Sequence, residues 1–262
     1  MTLTLGSGPL APGRGDLNFS LDHAPKHQIL FEDYPRRMRA YVGDRQVLDS
    51  TRGKLLFESN IQPVYYCPID DLVEELLAES DHATHCPFKG DASYWSLKAG
   101  DREIENAVWH YPDPTDEAPW LKGYAALYWD KADLWMQEDE PVASLKDPYH
   151  RVDVMESSTR VTVTANGTEI ARSDRPKLVF ETGIPPRIYL LRSDIEPGVL
   201  EQTATTSHCP YKGDATYWSV RTGEGVIEDA AWSYETPLPE TMKAIGHVSF
   251  DASAAGIEVQ AA

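Results

Sequence analysis

Two repeated strings each place a cysteine three residues before a lysine, a spacing that could support thiol chemistry. HCPFKGDASYWS begins at His85, and HCPYKGDATYWS begins at His208. A nearby ammonium group lowers the pKa of a thiol, and the resulting thiolate is a nucleophile or a redox centre. A buried cysteine that only fills the core is the structural alternative. The candidate catalytic cysteines are Cys86 and Cys209, with Lys89 and Lys212 beside them.

Two glutamates, Glu58 and Glu181, end short apolar runs and are candidate general acids or bases. His85 is disfavoured as a direct base for Cys86, because neighbouring residues of a strand point to opposite faces. The glutamates could equally form ion pairs at the rim of a site. Their possible cationic partners are Lys89 and Lys212, or Arg52 and Arg175.

Aromatic residues recur at matching places in both halves of the chain. They could fill the core, or they could line a pocket for a flat ring or a cation. Trp109 and Tyr111 share a strand face, which would give a slot with two aromatic walls. The recurring residues are Tyr66, Tyr94, Trp95, Trp109 and Tyr111, then Tyr189, Tyr217, Trp218, Trp232 and Tyr234.

The spacing of cysteines and histidines predicts no metal site. His85, Cys86, His208 and Cys209 could in principle form a His₂Cys₂ set, but adjacent His and Cys side chains of a strand point apart. Structural zinc sites normally contain a C-x₂-C pair, and the sequence has none. We therefore expect neither a metal nor another cofactor.

The two strings belong to a long internal repeat with an offset of 123 residues. Residues 37–114 and 160–237 share 29 identities in 78 positions, whereas ordinary composition would give about five by chance. This is a tandem duplication, and each copy is long enough for a domain of its own. We predict an N-terminal arm at 1–35, a first repeat at 36–135, a linker at 136–158 and a second repeat at 159–262.

Local patterns predict short strands with a turn about every ten residues, as in a small antiparallel β domain. The strand pattern RMRAYV reaches a turn at Gly43 and Asp44, and Asn166-Gly167 occupies the same turn in the second copy. Pro-Phe-Lys-Gly after Cys86 should be a turn that places Cys86 and Lys89 near a rim. Asp70 and the residues after it predict at most one short helix per copy.

Composition limits the classes of partner. The chain has 262 residues and a formal net charge of −18. This charge repels phosphate backbones, so we expect no nucleic acid partner. No apolar run is long enough to span a membrane and no signal peptide is evident, so we expect no membrane association and a cytoplasmic location. Three cysteines are too few for a disulfide framework.

The repeated motif resembles the bacterial and fungal domain-of-unknown-function family 427. The resemblance rests on H-C-P-aromatic-K-G-x-A-x-Y-W, preceded by K-L-(L/V)-F-E and followed by A-x-W-x-Y-x-x-P, and covers about 37–135 and 160–260. It implies a small β-tent fold in each copy, an architecture also found in methionine sulfoxide reductase B, Yippee proteins and the thalidomide-binding domain of cereblon.

These related folds imply two kinds of site. By similarity to the cereblon domain, Trp95 and Trp109, or Trp218 and Trp232, would wall a pocket for a small planar ligand. By similarity to the reductase, Cys86 and Cys209 would perform thiol chemistry. Zinc-binding β-tents carry two C-x₂-C pairs, whereas each motif here has one cysteine, so a structural zinc is not expected.

We therefore expect a mostly β protein of two β-tent repeats that binds, and could transform, a small planar or anionic molecule. Stacking on Trp95 and Trp109 and positive charge from Lys89 and Arg52 would hold the molecule, with Glu58 or Cys86 as the reactive group. One alternative is a noncatalytic scaffold that binds a protein partner. The other is a thiol-dependent redox enzyme that uses Cys86 and Cys209. The oligomeric state is left open.

Overall fold

A computed structural model gives the fold of residues 18, 25–59 and 61–262. The described chain divides into two compact units between Asp147 and Pro148. Every strand pairing in the sheets of both units is antiparallel. The prediction of two tandem, mostly antiparallel β domains is therefore confirmed.

The first unit contains a seven-stranded and a four-stranded sheet. Its strands are β1 (Ile29–Asp33), β2 (Met38–Val42), β3 (Arg45–Ser50), β4 (Lys54–Glu58), β5 (Val64–Pro68), β6 (Leu77–Cys86), β7 (Gly90–Ala99), β8 (Arg102–His110), β9 (Tyr124–Leu127), β10 (Leu134–Gln137) and β11 (Glu140–Pro141). The long sheet has the order β1-β4-β5-β9-β8-β7-β6, and the short sheet has the order β11-β10-β2-β3.

The second unit repeats this order with a three-stranded short sheet. Its strands are β12 (Val152–Glu156), β13 (Val161–Ala165), β14 (Thr168–Ser173), β15 (Lys177–Glu181), β16 (Arg187–Leu191), β17 (Leu200–Cys209), β18 (Gly213–Thr222), β19 (Gly225–Tyr234), β20 (His247–Phe250) and β21 (Ile257–Ala261). The orders are β12-β15-β16-β20-β19-β18-β17 and β14-β13-β21.

The turn between β13 and β14 follows the prediction from sequence. Asn166 and Gly167 both have positive φ, at 49° and 79°. Positive φ at both central residues is the requirement of a type I′ hairpin turn, which Asn-Gly satisfies at low cost. The predicted hairpin is confirmed, and in the first unit β2 and β3 likewise pair across Gly43 and Asp44.

No α-helix occurs within the described ranges, where all helical segments are 3₁₀ turns. The segment that contains Asp70 forms two such turns, because the Val73 N–H donates to the Val47 carbonyl at 3.1 Å and keeps the chain extended between them. This tertiary contact prevails over local helix propensity. The 3₁₀ turns are Ile69–Asp71, Glu74–Leu76, Pro119–Leu121, Trp129–Lys131, Arg192–Asp194 and Pro239–Ala244.

Parts of the segments interpreted as an arm and a linker form strands. The arm contributes β1, which pairs with β4. The linker range contributes β11 to the first unit and β12 to the second. Residues 1–17 and 19–24 of the predicted arm lie outside the described residues. Among those described, no helix is long and apolar enough to cross a membrane.

The long sheet of the second unit has apolar packing on both faces. One face packs with the short sheet, where Val161, Val163 and Ile170 join Val220 and Val248. The other face carries a separate cluster of aromatic residues that includes Tyr189, Tyr211 and Tyr234. An equivalent aromatic cluster in the first unit includes Tyr66, Tyr94 and Tyr111. This aromatic face is where the repeated motif contributes its cysteine.

Candidate functional site

Strand register brings most of the predicted site residues to one face of the long sheet. Tyr94 on β7 pairs with Trp109 on β8, and directly paired residues of antiparallel strands point to the same side. Cys86 pairs with Gly90 at the start of β7. Gly90, Ala92 and Tyr94 are alternate residues of β7 and therefore share a face, and Cys86 lies on that face with its partner. We call this surface, with Cys86, Tyr94, Trp109 and the residues that contact them, the aromatic face.

A buried ion pair lies beside this aromatic face. The Lys89 ammonium binds one carboxylate oxygen of Glu58, and their side chains are only 10% and 7% exposed. The other oxygen is 3.1 Å from Nε2 of His27, whose ring stacks on Phe88 at 4.0 Å. Lys89 also lies 5.8 Å from the ring centroid of Tyr111, a cation–π distance. Every charged oxygen of Glu58 therefore has a polar partner.

The second unit repeats this arrangement. Lys212 binds Glu181, His150 lies 3.0 Å from the same carboxylate, and the His150 ring stacks on Tyr211 at 4.0 Å. Burial alone would raise the pKa of Glu181, but hydrogen bonds from His150 and Lys212 outweigh it and hold this pKa below the ordinary value. Glu181 is therefore held as a carboxylate.

The two histidines were not among the residues nominated from sequence. His27 and His150 are separated by the same offset of 123 residues as the rest of the repeat. That offset could have found them, because extending the alignment before Arg37 pairs them directly. They were missed because the identities around them are sparse.

The cysteine of each motif lies at the edge of the aromatic cluster. Cys86 and Cys209 are free and half-buried. Burial, followed by the neighbouring Cys86 and Glu58, raises the pKa of Tyr111. Among the described residues, the Tyr111 hydroxyl has no hydrogen-bond partner, and the same holds for Tyr234 beside Cys209. Each unit thus places a protonated phenol and a thiol together.

The remaining phenols of the aromatic face are joined in hydrogen bonds. Trp109 donates from Nε1 to the Tyr66 hydroxyl at 3.1 Å, and Trp232 does so to Tyr189 at 2.9 Å. Burial and then a hydrogen bond with Tyr94 raise the pKa of Tyr128 to about 12. These groups are neutral near pH 7 and can donate hydrogen bonds.

The structure corrects the expectation of a slot with two tryptophan walls. Trp95 is adjacent to Tyr94 in β7 and points to the opposite face. There it stacks on His110, with ring centroids 4.0 Å apart and an angle of 2° between the ring planes. Trp218 likewise points away from Trp232 and donates to Ser233 at 2.8 Å. The register between β7 and β8 separates the first pair, and that between β18 and β19 separates the second, so Trp95 and Trp218 do not line the aromatic face.

The predicted role of Arg52 is also corrected. Arg52 precedes β4 and Glu58 ends it, so the two lie at opposite ends of an extended strand. The Arg52 guanidinium binds Asp71 instead. In the second unit Arg175 occupies the same position before β15. Neither arginine supplies charge at the aromatic face.

The turn after Cys86 lies where the sequence predicts it, but the Lys89 side chain does not lie at an open rim. The Lys89 N–H donates to the Cys86 carbonyl at 3.3 Å, closing the turn before Gly90. The Lys89 side chain is buried against Glu58 rather than standing at an open rim beside the thiol. His85 faces away from Cys86 and lies 2.6 Å from Asp91, as the alternation of strand residues predicts.

The described residues contain no group of three or more His, Cys, Asp or Glu side chains placed to hold a metal ion.

A family model described as a domain of unknown function (DUF427) matches residues 30–138 and again residues 153–261. The chain belongs to this family. It carries two DUF427 units in tandem, and no curated protein matches it.

The site is not confined to the parts matched by the DUF427 model. The glutamate, lysine, cysteine and aromatic residues of each site lie within a match. His27 and His150 each lie three residues before one. Both DUF427 units therefore recruit a histidine from the segment that precedes them.

Proposed function

We propose that each DUF427 unit binds a small molecule through a carbonyl or carboxylate oxygen at the aromatic face. The observation that carries this proposal is the pair of tyrosines Tyr111 and Tyr234. Each is only 5% exposed, and neither hydroxyl has a hydrogen-bond partner among the described residues. Neither hydroxyl is among the fully buried atoms without a partner, so each reaches the surface of its unit, where a ligand oxygen would accept its hydrogen bond.

Other groups at the aromatic face suit the same ligand. The Lys89 ammonium lies 5.8 Å from the Tyr111 ring centroid, and its charge is balanced by the Glu58 carboxylate. The half-buried ring of Trp109 offers an apolar surface for a planar part of the molecule. Lys212 and Trp232 take these roles in the second unit. The small molecule that we propose is thus planar and bears an acceptor oxygen.

A thiol-dependent redox enzyme is the second candidate. Half-buried Cys86 and Cys209 lie at the same face, where a bound molecule would meet the sulfur. The three cysteines are free, which fits the cytoplasmic location that we propose for the protein. Under this second function, Cys86→Ser and Cys209→Ser would retain binding and abolish turnover.

The first experiment compares the native mass of the purified full chain with its denatured mass. One or two additional small organic masses would give the ligand and its stoichiometry. The identified molecule, or the stabilising members of a panel of small carbonyl and carboxylate metabolites, would then be titrated into the protein. A chain that no member of the panel stabilises or binds would instead support the scaffold function.

The decisive variant is Tyr111→Phe combined with Tyr234→Phe. This change removes only the two hydroxyls, so we expect about tenfold weaker binding with little change in the melting temperature. Tyr41→Phe is the matched control, because Tyr41 lies on β2 in the short sheet. Unchanged affinity in the double variant would contradict the proposal.

A further inference from the structure

A cleft in the second unit brings three arginines together. Its volume is about 750 Å³. It lies where the ends of β13 and β14 meet the 3₁₀ turn at Arg192–Asp194, away from the aromatic face. The lining residues are Arg160, Arg172, Ser173, Asp174, Arg175 and Asp194.

The three arginines of this cleft differ in whether they form an ion pair. Arg172 forms two hydrogen bonds with Glu169, at 2.8 and 2.5 Å. Arg160 and Arg175 form no side-chain ion pair with any residue that the structure describes. Asp194 accepts a hydrogen bond from Ser173 at 2.6 Å. Two of the three guanidinium groups thus have no ion-pair partner within the described chain, although the carboxylates of Asp174 and Asp194 also line the cleft.

In the first unit the arginines at the equivalent positions form ion pairs with carboxylates. Arg37, which corresponds to Arg160, binds Asp49 through two hydrogen bonds of 2.7 and 2.5 Å. Arg52, which corresponds to Arg175, binds Asp71. In the repeat alignment Arg172 replaces Asp49, while Glu169 and Asp174 replace the uncharged Gln46 and Thr51. The formal charges at these positions therefore balance in both units, but the second unit leaves Arg160 and Arg175 without an ion-pair partner among the described residues.

The chemistry of the cleft selects the class of ligand. Arginine presents a planar set of donors that binds phosphoryl oxygens in pairs. The net charge of −18 repels a long polyanion, whereas a small anion can bind the unpaired guanidinium groups of Arg160 and Arg175 directly. We propose that this cleft binds a small phosphorylated molecule through Arg160, Arg172 and Arg175. This site is independent of the function proposed for the aromatic face.

The test is calorimetric titration of the full chain with inorganic pyrophosphate at low salt. We expect one binding site per chain, with affinity that falls as salt is added. Arg172→Asp restores the residue of the first unit, and we expect it to weaken binding at least about tenfold. Because the first unit folds with aspartate at this position, the variant should remain folded.

Arg221→Asp is the matched control. It makes the same change in net charge, and Arg221 is an exposed residue that pairs with Glu201 outside the cleft. Equal weakening by both variants would reduce the effect to overall charge and overturn the proposal. The same holds if wild-type protein shows no saturable binding, or if a tricarboxylate such as citrate binds as tightly as pyrophosphate.

A second pair of variants keeps the test independent of Arg172. Arg160→Gln and Arg175→Gln remove one cation each at exposed positions, so the melting temperature should not change. Each should weaken pyrophosphate binding several-fold. Wild-type affinity in both would overturn the assignment of these residues.

Discussion

The two faces of the long sheet differ in how closely the second unit reproduces the first. On the aromatic face the distances nearly coincide: histidine lies 3.1 and 3.0 Å from its glutamate, and the tryptophan-to-tyrosine hydrogen bonds are 3.1 and 2.9 Å. On the opposite face, Trp95 stacks on His110, whereas Trp218 packs under Arg192 at 4.3 Å from its ring centroid.

This contrast indicates which residues serve only packing and which serve a site. The opposite face needs only to cover a tryptophan ring, and an imidazole or a guanidinium can do that equally well. The aromatic face keeps a histidine, a glutamate, a lysine, a cysteine and an unpartnered tyrosine in both units. A buried lysine–glutamate pair is an inefficient source of stability compared with apolar packing, so its presence in both units favours a role in binding.

The largest expected difference concerns the three cysteines. Cys86 and Cys209 are half-buried, whereas Cys67 is fully buried and burial raises the pKa of its thiol. Because the thiolate is the reactive form, we expect a disulfide reagent to modify two thiols rapidly in the native protein and the third only after denaturation. The rate can be followed by released chromophore.

Single substitutions assign the two rapid thiols. Cys86→Ser and Cys209→Ser should each leave one rapid thiol, and Cys67→Ala should leave both. A native protein with only one rapid thiol would show that the two aromatic faces differ in access.

Breaking the buried ion pair should have the largest effect on stability. Lys89→Met leaves the Glu58 carboxylate buried with only His27 as a partner, and we expect a loss of about 3 kcal/mol in the free energy of unfolding. Lys212→Met should cost a similar amount in the second unit. Calorimetric unfolding of the full chain measures both losses.

The control for this prediction removes both charges. Glu58→Leu combined with Lys89→Met leaves no buried ion, so it should cost less than Lys89→Met alone. A double variant that is less stable than the single one would show that the ion pair itself stabilises the fold. A much smaller cost for Lys212→Met would show that the two sites are not equivalent.

Replacing the glycine that follows Lys89 or Lys212 should cause a somewhat smaller loss in the free energy of unfolding. Gly90 and Gly213 have φ of 98° and 96°, and an added Cβ would lie 3.3 Å from the Asp113 carbonyl oxygen and 3.1 Å from that of Thr236. Alanine at either position should cost about 2 kcal/mol, because the backbone is strained and the space is occupied.

Chemical denaturation of the two alanine variants checks this cost. Gly223→Ala is the control, because a Cβ there meets nothing within 4 Å. We expect the loss to be slightly larger for Gly213→Ala than for Gly90→Ala, since its carbonyl contact is closer. Equal stability of all three variants would remove the argument that this turn requires glycine.

The local features of this fold were accessible from sequence. The 123-residue offset revealed the duplication, Asn166-Gly167 gave a hairpin turn, and the alternation along β7 placed Tyr94 and Trp95 on different faces. These features, like the opposite orientation of His85 and Cys86, depend on neighbouring residues, whose conformations follow from steric limits and strand periodicity.

The site was less accessible, because it depends on register between distant strands. Nothing in the local sequence states that Tyr94 pairs with Trp109, and a shift of one residue would have brought Trp95 to the aromatic face. The pairing of Lys89 with Glu58 rather than Cys86 is likewise a long-range choice. His27 could be found only by following the repeat into a segment without clear strand pattern.

The smallest predicted effect is the dependence of the second unit on pH. The pKa of Glu181 is lowered in the folded state by His150 and Lys212, against the effect of burial. A lowered pKa means that the stabilisation is present above the ordinary titration range of a glutamate and is lost as the pH falls through the folded value. Glu181→Gln should therefore destabilise the unit most near neutral pH, and its difference in stability from wild type should shrink on acidification.

Glu201→Gln, at an exposed pair with Arg221, is the control for general charge effects. Melting temperatures measured across the acidic range decide the matter, and a difference between Glu181→Gln and wild type that stays constant with pH would mean that the His150 and Lys212 contacts do not hold the carboxylate charged.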